Sequence, residues 1–150
     1  MKEASRRVGI DWGSESHQVC RIDGEEEPKQ RAFPHTSEGL RALVDFMVEG
    51  GIDREQIVIA IEVNHGAVVE ALLAKGLRVY SINPKVLDRL RDRFSPAGAK
   101  DDRRDAFVLA SCVESPEGRL RAPTHRRSGR SSQATNGILD CKRRHDFVRI

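Results

Sequence analysis

Four acidic side chains at widely separated positions are of a type that could together bind metal ions. Asp11 ends a short apolar segment, Glu62 follows a longer one, and Asp102 and Asp105 stand three residues apart. Residues at that spacing share one face of a helix. Carboxylates gathered in one place repel one another and raise each other's pKa, so such a cluster needs a cation. Oxygen ligands of this kind favour Mg²⁺ or Mn²⁺, which can activate a nucleophile and stabilise a leaving oxygen in phosphoryl transfer.

The elements that must position these acids follow from the spacing of the apolar residues. Short apolar or alternating segments predict five strands, at residues 8–11, 17–22, 31–34, 57–61 and 77–82. Apolar residues at helical spacing, with Thr36 or Ser37 as the cap and Gly50-Gly51 as the stop, predict a first helix. Three further helices are predicted at residues 66–75, 85–93 and 101–113. The continuous apolar run at 57–61 is typical of a strand buried on both faces.

This order of elements, β-β-β-α-β-α-β-α-α, predicts an α/β fold with a mixed five-stranded sheet and flanking helices. The ribonuclease-H-like fold has this order, with the first strand central and paired with the fourth. Because parallel strands end at the same edge of a sheet, Asp11 and Glu62 would be neighbours. All four acids converge if the last helix packs beside the first strand. The alternative is that strand-end acids solvate loops and that Asp102 and Asp105 favour the helix dipole.

The composition excludes several classes of protein. The 150 residues, 38% of them hydrophobic, fit one domain with a short appendage. No run approaches the ~18 apolar residues that a membrane-spanning helix needs, and no secretory signal precedes the first strand. The three cysteines, Cys20, Cys112 and Cys141, are an odd number at wide, irregular spacing, which excludes a disulfide framework and any closely spaced zinc site. We therefore expect a cytoplasmic protein.

The charge is unevenly distributed along the chain. Residues 118–150 hold nine Lys and Arg against two Asp, a local charge of +7, and the net charge of +3 leaves −4 for the rest. An acidic body with a basic tail is typical of a protein that binds nucleic acid, and the alternative is a solvated tail. The basic residues of the 85–93 segment, among them Arg89 and Arg91, are interpreted as neutralising phosphates or as a solvated helix face.

Four sequence blocks, in their order and spacing, resemble the N-terminal domain of IS110-family (IS116/IS110/IS902) transposases. The blocks are Gly9-Ile10-Asp11-Trp12, residues 60–66 (AIEVNHG), residues 81–84 (SINP) and residues 98–106 (GAKDDRRDA). The last block is the most specific, because the family has a Lys-x-Asp-x-x-Asp-Ala signature there. The resemblance covers about residues 6 to 114.

The resemblance implies a RuvC-like, ribonuclease-H-like domain at residues 1–114 and a basic, irregular or truncated tail at residues 115–150. The family's acidic tetrad falls on Asp11, Glu62, Asp102 and Asp105, which are then the catalytic residues and the ligands of Mg²⁺ or Mn²⁺. Members are DNA recombinases that move insertion sequences; some are guided by an RNA that the element encodes, and relatives work as oligomers. We expect DNA as the partner, nucleoid association when it is bound, and no membrane. The expected nucleic-acid-binding residues are Lys100, Arg103, Arg104, Arg126, Arg127 and Arg130.

The sequence departs from the family pattern in the loop after Glu62 and beyond the last helix. Many members have a Thr-Gly pair where this chain has Val63-Asn64-His65-Gly66, so His65 is either a loop histidine or an extra site residue. The family continues into a helical region and a second domain with a nucleophilic serine, whereas residues 124–136 lack any apolar period. We therefore expect the catalytic N-terminal half of a transposase, truncated before the serine-bearing domain.

Two other functions stay open. One is a non-cleaving module that binds DNA or the element's RNA, or that pairs with full-length transposase. The other is a different enzyme on a related fold, since residues 9–14 (GIDWGS) also resemble the phosphate loop of actin-like sugar kinases and the opening of YqgF-type resolvases. The further glycine-rich loops of the kinases and the Gly-Leu-Pro loop of the resolvases are missing from the sequence, so both rank below the transposase.

Overall fold

The computed structural model describes residues 6–63, 65–94, 101–113 and 147–149, which form strands and helices in alternation. The strands are β1 (Arg6–Asp11), β2 (Ser16–Asp23), β3 (Lys29–Pro34), β4 (Ile57–Ile61), β5 (Arg78–Ile82) and β6 (Phe147–Arg149). The helices are α1 (Ser37–Val48), α2 (Ala67–Ala74), α3 (Pro84–Phe94) and α4 (Asp102–Cys112), and a 3₁₀ turn spans Arg54–Gln56. None of the helices in these ranges is long and apolar enough to cross a membrane.

The strands form one sheet in the order β3-β2-β1-β4-β5-β6. β1 lies in the middle, antiparallel to β2 and parallel to β4, and β5 continues the parallel part. The predicted α/β fold, with a mixed sheet and a central first strand, is therefore confirmed. The structure adds β6, antiparallel to β5, to the five strands predicted. Its three residues lie in the segment that sequence analysis assigned to the tail. The strand was not predicted there, because so short a run has no recognisable period.

Helices cover both faces of this sheet. Every residue of β4 is fully buried, as its continuous apolar run predicts. Ile57, Ile59 and Ile61 pack with α1 and α2, whereas Val58 and Ala60 pack with α3 and α4. Successive side chains of a strand point to opposite faces, so a strand with helices on both faces must be apolar throughout.

Two buried arginines fasten the end of α1 to the sheet. Arg6 donates from Nη1 to the carbonyls of Met47 and Glu49 at 2.6 and 2.8 Å, and Arg21 donates from Nη1 to the carbonyl of Phe46 at 2.6 Å. The last carbonyls of a helix have no partner within it, and α1 has no basic residue in its own last turn. Strands β1 and β2 therefore supply the cap that fixes α1 against one end of the sheet.

Helix α4 lies directly on β1, and this contact requires Gly9. A Cβ at that position would stand 2.0 Å from the carbonyl oxygen of Ala106 and 2.5 Å from the backbone nitrogen of Ala110. Only a residue without a side chain allows the helix backbone so near the strand. The first turn of α4, which carries Asp102 and Asp105, is thereby held beside β1.

We predict that Gly9→Ala lowers the free energy of unfolding by about 3 kcal/mol, because the added methyl group must push a helix backbone away. In a strand the backbone itself favours Ala over Gly, so the expected loss of stability comes from the steric clash and not from backbone conformation. Urea unfolding followed by circular dichroism measures the change. Gly24→Ala is the control: its Cβ would meet nothing within 4 Å, although its φ of +53° costs about 1 kcal/mol in backbone strain. Equal losses in the two variants would contradict the close contact.

Candidate metal centre

The four acids that the sequence singles out come together at one end of the sheet. The residues just before Asp11 and Glu62 are partners in the parallel register of β1 and β4, so the two acids leave these strands side by side. Helix α4 brings Asp102 and Asp105 to the same place through its contact with β1. Asp105 is buried, Asp11 and Glu62 are half-buried and Asp102 is exposed.

Burial and the negative charges of the other three carboxylates act on Asp11 and raise its pKa. Its pKa is raised from 3.8 to about 7, first by burial, then by the negative charges of Asp105 and Asp102, by a hydrogen bond with Asp102 and by the charge of Glu62. Two carboxyl groups share a hydrogen bond only if one of them carries a proton. Burial and the neighbouring charges thus favour the protonated form of Asp11, and a cation among these acids would favour release of its proton.

Asp105, the most buried of the four, is paired with Arg91 of α3. The guanidinium donates from Nε to Oδ1 at 2.7 Å and from Nη2 to Oδ2 at 2.8 Å, so it engages both oxygens of the carboxylate. Only 1% of the Asp105 side chain is exposed, against 25% of Arg91. The hydrogen bonds to Asp105 are the main cause that raises the pKa of Arg91. Sequence analysis predicted that Arg91 faces phosphate or solvent, whereas in the structure its guanidinium points towards the acids.

The cluster is not arranged as a finished set of metal ligands. In the part of the chain that the structure describes, no three Asp, Glu, His or Cys side chains are positioned to hold a metal ion. The pair with Arg91 supplies a physical reason, because Asp105 already has both oxygens engaged. Binding an ion between these acids would require side chains to move.

The start of α4 is held by its own cap residue and by side chains of the antiparallel strands. Asp101 caps the helix by accepting from the backbone N–H of Arg103 at 3.0 Å. Gln30 of β3 donates to the carbonyl of Arg103 at 2.8 Å, and Gln18 of β2 donates to Gln30 at 3.0 Å. These bonds fix the turn that carries Asp102 without engaging the acids of the cluster.

The basic and loop residues that the sequence singles out are only partly described. Arg103 is exposed on α4, and Arg104 beside it is half-buried. His65 is exposed in the loop after β4. The other predicted nucleic-acid contacts, Lys100, Arg126, Arg127 and Arg130, lie outside the described residues.

Three aromatic rings pack together beside Asp11, and sequence analysis did not predict this contact. They are Trp12, which follows Asp11 in the chain, and the imidazoles of His17 and His35. Trp12 lies 5.9 Å from His17 and 6.2 Å from His35, measured between ring centres, and is 38% exposed. Gly13 donates its N–H to Nδ1 of His17, so Nε2 of this buried histidine carries the proton and donates to Nδ1 of His35 at 2.9 Å. Burial, then the neighbouring His35, lower the pKa of His17 and favour its neutral form.

A family model for DEDD transposases of the IS110 type matches residues 8–130. That span contains all four acids. The chain belongs to this transposase family. The family resemblance of the four sequence blocks is thereby confirmed.

Two curated relatives agree with this assignment. A protein named as transposase y4uE, from Sinorhizobium fredii, is 48% identical over 109 residues, which are 71% of this chain and 30% of that protein. The mini-circle transposase named for IS117, from Streptomyces coelicolor, is 36% identical over 108 residues, which are 70% of this chain and 26% of that protein. The chain therefore spans less than a third of either relative's length.

We predict that Asp11→Asn changes how the stability of the protein depends on pH when a chelator is present. Folded Asp11 keeps its proton up to about pH 7, whereas the unfolded chain releases it near pH 3.8. Asp11 therefore stabilises the fold at low pH, and this contribution is lost as the pH rises through 7. The melting temperature of Asp11→Asn should rise relative to that of the unchanged protein between about pH 4 and pH 8.

Asp45→Asn, at an exposed position of α1, serves as the control, and the rise with pH should be larger for Asp11→Asn than for this variant. His17 contributes with the opposite sign, because a histidine with a lowered pKa destabilises the fold as the pH falls, but it is common to all the proteins compared. A difference between Asp11→Asn and the unchanged protein that does not vary with pH would contradict the carboxylate cluster.

Proposed function

We propose that Asp11, Glu62, Asp102 and Asp105 bind Mg²⁺ or Mn²⁺ and form the catalytic centre of a DNA transposase of the IS110 type. The observation that carries the proposal is the convergence of four carboxylates, from the ends of two strands and from one helix, around Asp11. Membership of the family supports DNA as the substrate. Because the chain covers 30% and 26% of its relatives, we assign to it the N-terminal, metal-binding part of such a transposase.

The chemistry of the donors fits a hard divalent cation. All four side chains offer carboxylate oxygens, which Mg²⁺ and Mn²⁺ prefer. The raised pKa of Asp11 means that the cluster is stabilised by taking up positive charge, either as a proton or as a metal ion. An ion held there supplies the charge that activates an attacking oxygen and stabilises the leaving oxygen of a DNA phosphodiester.

The proposed partners follow from the same placement. Arg103 is exposed next to Asp102, where its charge can neutralise a phosphate of the bound strand. We assign Arg104, and from its position in the sequence Lys100, to contacts with the same DNA backbone. A guide RNA, self-association and a cytoplasmic location, at the nucleoid when DNA is bound, extend the proposal from the resemblance to the family.

We predict that the chain binds Mn²⁺ saturably in calorimetry and that Asp102→Asn weakens this binding at least about tenfold, because a ligand charge is lost. Asp101→Asn is the matched control, since Asn caps a helix as well as Asp and the residue lies one position outside the cluster. Circular dichroism establishes that both variants fold. Equal affinity of Asp102→Asn and the unchanged chain would remove Asp102 from the site.

A second candidate function is a module that binds nucleic acid, or pairs with full-length transposase, without cleaving. The observation that favours it is the charge of +7 in residues 118–150. Coulombic attraction to phosphates binds DNA or RNA without a metal ion, and it weakens steeply as salt is added.

We predict that replacing three tail arginines by Gln lowers the slope of log K against log salt for a DNA duplex, by about 0.9 for each phosphate that the protein no longer neutralises. The variant replaces Arg126, Arg127 and Arg130. The control variant replaces three exposed basic residues of the folded body, Arg31, Arg41 and Lys75. Fluorescence anisotropy over a salt series measures both slopes. If the two variants lower the slope equally, the tail has no dedicated binding role.

A further inference from the structure

Arg91 connects helix α3 with helix α4, which carries two of the four acids. It comes from α3, and it donates to both oxygens of Asp105 on α4 at 2.7 and 2.8 Å. Its third nitrogen, Nη1, donates to Asp88, three residues earlier in α3. The charge of Glu62 also acts on it. One guanidinium thus counters the charge of two of the four proposed metal ligands.

The cluster requires a positive group when it holds no metal ion. Asp105 is 1% exposed, and a carboxylate removed from water is stable as an anion only when it is paired and hydrogen-bonded. A planar guanidinium that donates two parallel bonds supplies both the charge and the geometry. Arg91 therefore does for the metal-free protein what a cation would do for the loaded one.

The same pair works against a metal ion at Asp105. Each carboxylate oxygen has two lone-pair sites, and the guanidinium takes one on each oxygen. A divalent ion on the same carboxylate would also be repelled by the positive charge of Arg91 a few ångströms away. Among the described residues no three potential ligands are positioned to hold an ion, as expected when one of them is already engaged.

Arg91 has a second position available when it leaves Asp105. Its side chain is 25% exposed, and its other partner, Asp88, is 67% exposed at the surface. A long flexible side chain can keep its stem on the helix while its charged end turns to water. Turning towards Asp88 would leave the guanidinium both hydrated and paired.

We propose that Arg91 is the resident counter-cation of Asp105 and that a divalent metal ion must displace it before this carboxylate can act as a ligand. The inference rests on the proposed metal centre. In this role Arg91 is a positioning residue, and its removal strengthens metal binding. Removal of a residue that supports the bound ion would have the opposite effect.

Calorimetric titration of the full chain with Mn²⁺ tests the proposal. Arg91→Met should bind the ion about tenfold more tightly than the unchanged chain, because a competing charged hydrogen-bond partner is removed. Arg89→Met removes the same charge from an exposed position of α3 and should bind within about twofold of the unchanged chain. Arg91→Lys keeps the charge but cannot donate the paired bonds, so its affinity should fall in between.

Thermal unfolding supplies a second readout that does not depend on the heat of binding. With a chelator present, Arg91→Met should melt below the unchanged chain, because Asp105 is left buried and unpaired. Mn²⁺ should then raise the melting temperature of Arg91→Met by more than it raises that of the unchanged chain. If Arg91→Met does not fold, Arg91→Lys carries both measurements.

The outcomes separate the two proposals. Tighter binding by Arg91→Met, or binding by that variant alone, supports the displacement. Equal or weaker binding by Arg91→Met, when the unchanged chain binds Mn²⁺, overturns the role of Arg91 and leaves the metal centre standing. Absence of saturable binding in both folded proteins overturns the metal centre and the role of Arg91 with it.

Discussion

The contact of α4 with β1 at Gly9 is the constraint on which the rest of the structure depends. Where a helix backbone touches a central strand without a side chain between them, the position of the helix along the strand and its rotation are fixed together. Asp102 and Asp105 take their positions from this contact. Asp11 and Glu62 take theirs from the parallel register of β1 and β4. The acids are therefore placed by the central strands of the sheet and by the helix packed on them, as a site with demanding geometry requires.

The acidic cluster lowers stability at one end of the sheet, and three arginines show the contrast between the two ends. At the end near α1, Arg6 and Arg21 bond to backbone carbonyls that the helix leaves without partners, so their charges stabilise the fold itself. At the other end, Arg91 bonds to a carboxylate that was brought there against the repulsion of its neighbours. Burial first, and then the repulsion of these neighbours, raise the pKa of Asp11 to about 7, so the guanidinium does not fully offset the charge of the cluster. Such local conflict in an otherwise consistent fold is expected at functional positions.

Most of the fold could be predicted because its signals are local. The apolar run of β4, the cap at Thr36 and the helical spacing of Asp102 and Asp105 can each be recognised within a few residues. The proximity of Asp11 and Glu62 needed only one topological rule, that parallel strands end at the same edge. The pair of Arg91 with Asp105 could not be predicted, because it depends on how two helices cross and on which way a long side chain turns. The strand β6 was not predicted because its three residues are too few to show a period and its partner β5 lies far earlier in the chain.

The apolar contacts of α3 decide whether an exchange of Arg91 for a metal ion can stay local. Leu87 and Leu90 are 0% and 7% exposed and belong to the apolar cluster that α3 shares with α4 and the sheet. Burying two leucine side chains contributes about 3 to 6 kcal/mol, and this contribution does not involve the guanidinium. The leucines therefore hold α3 in place whichever carboxylate the guanidinium bonds. If a cation replaces the guanidinium as proposed, the packing that positions α4 on β1 need not change with the charge of the acidic cluster.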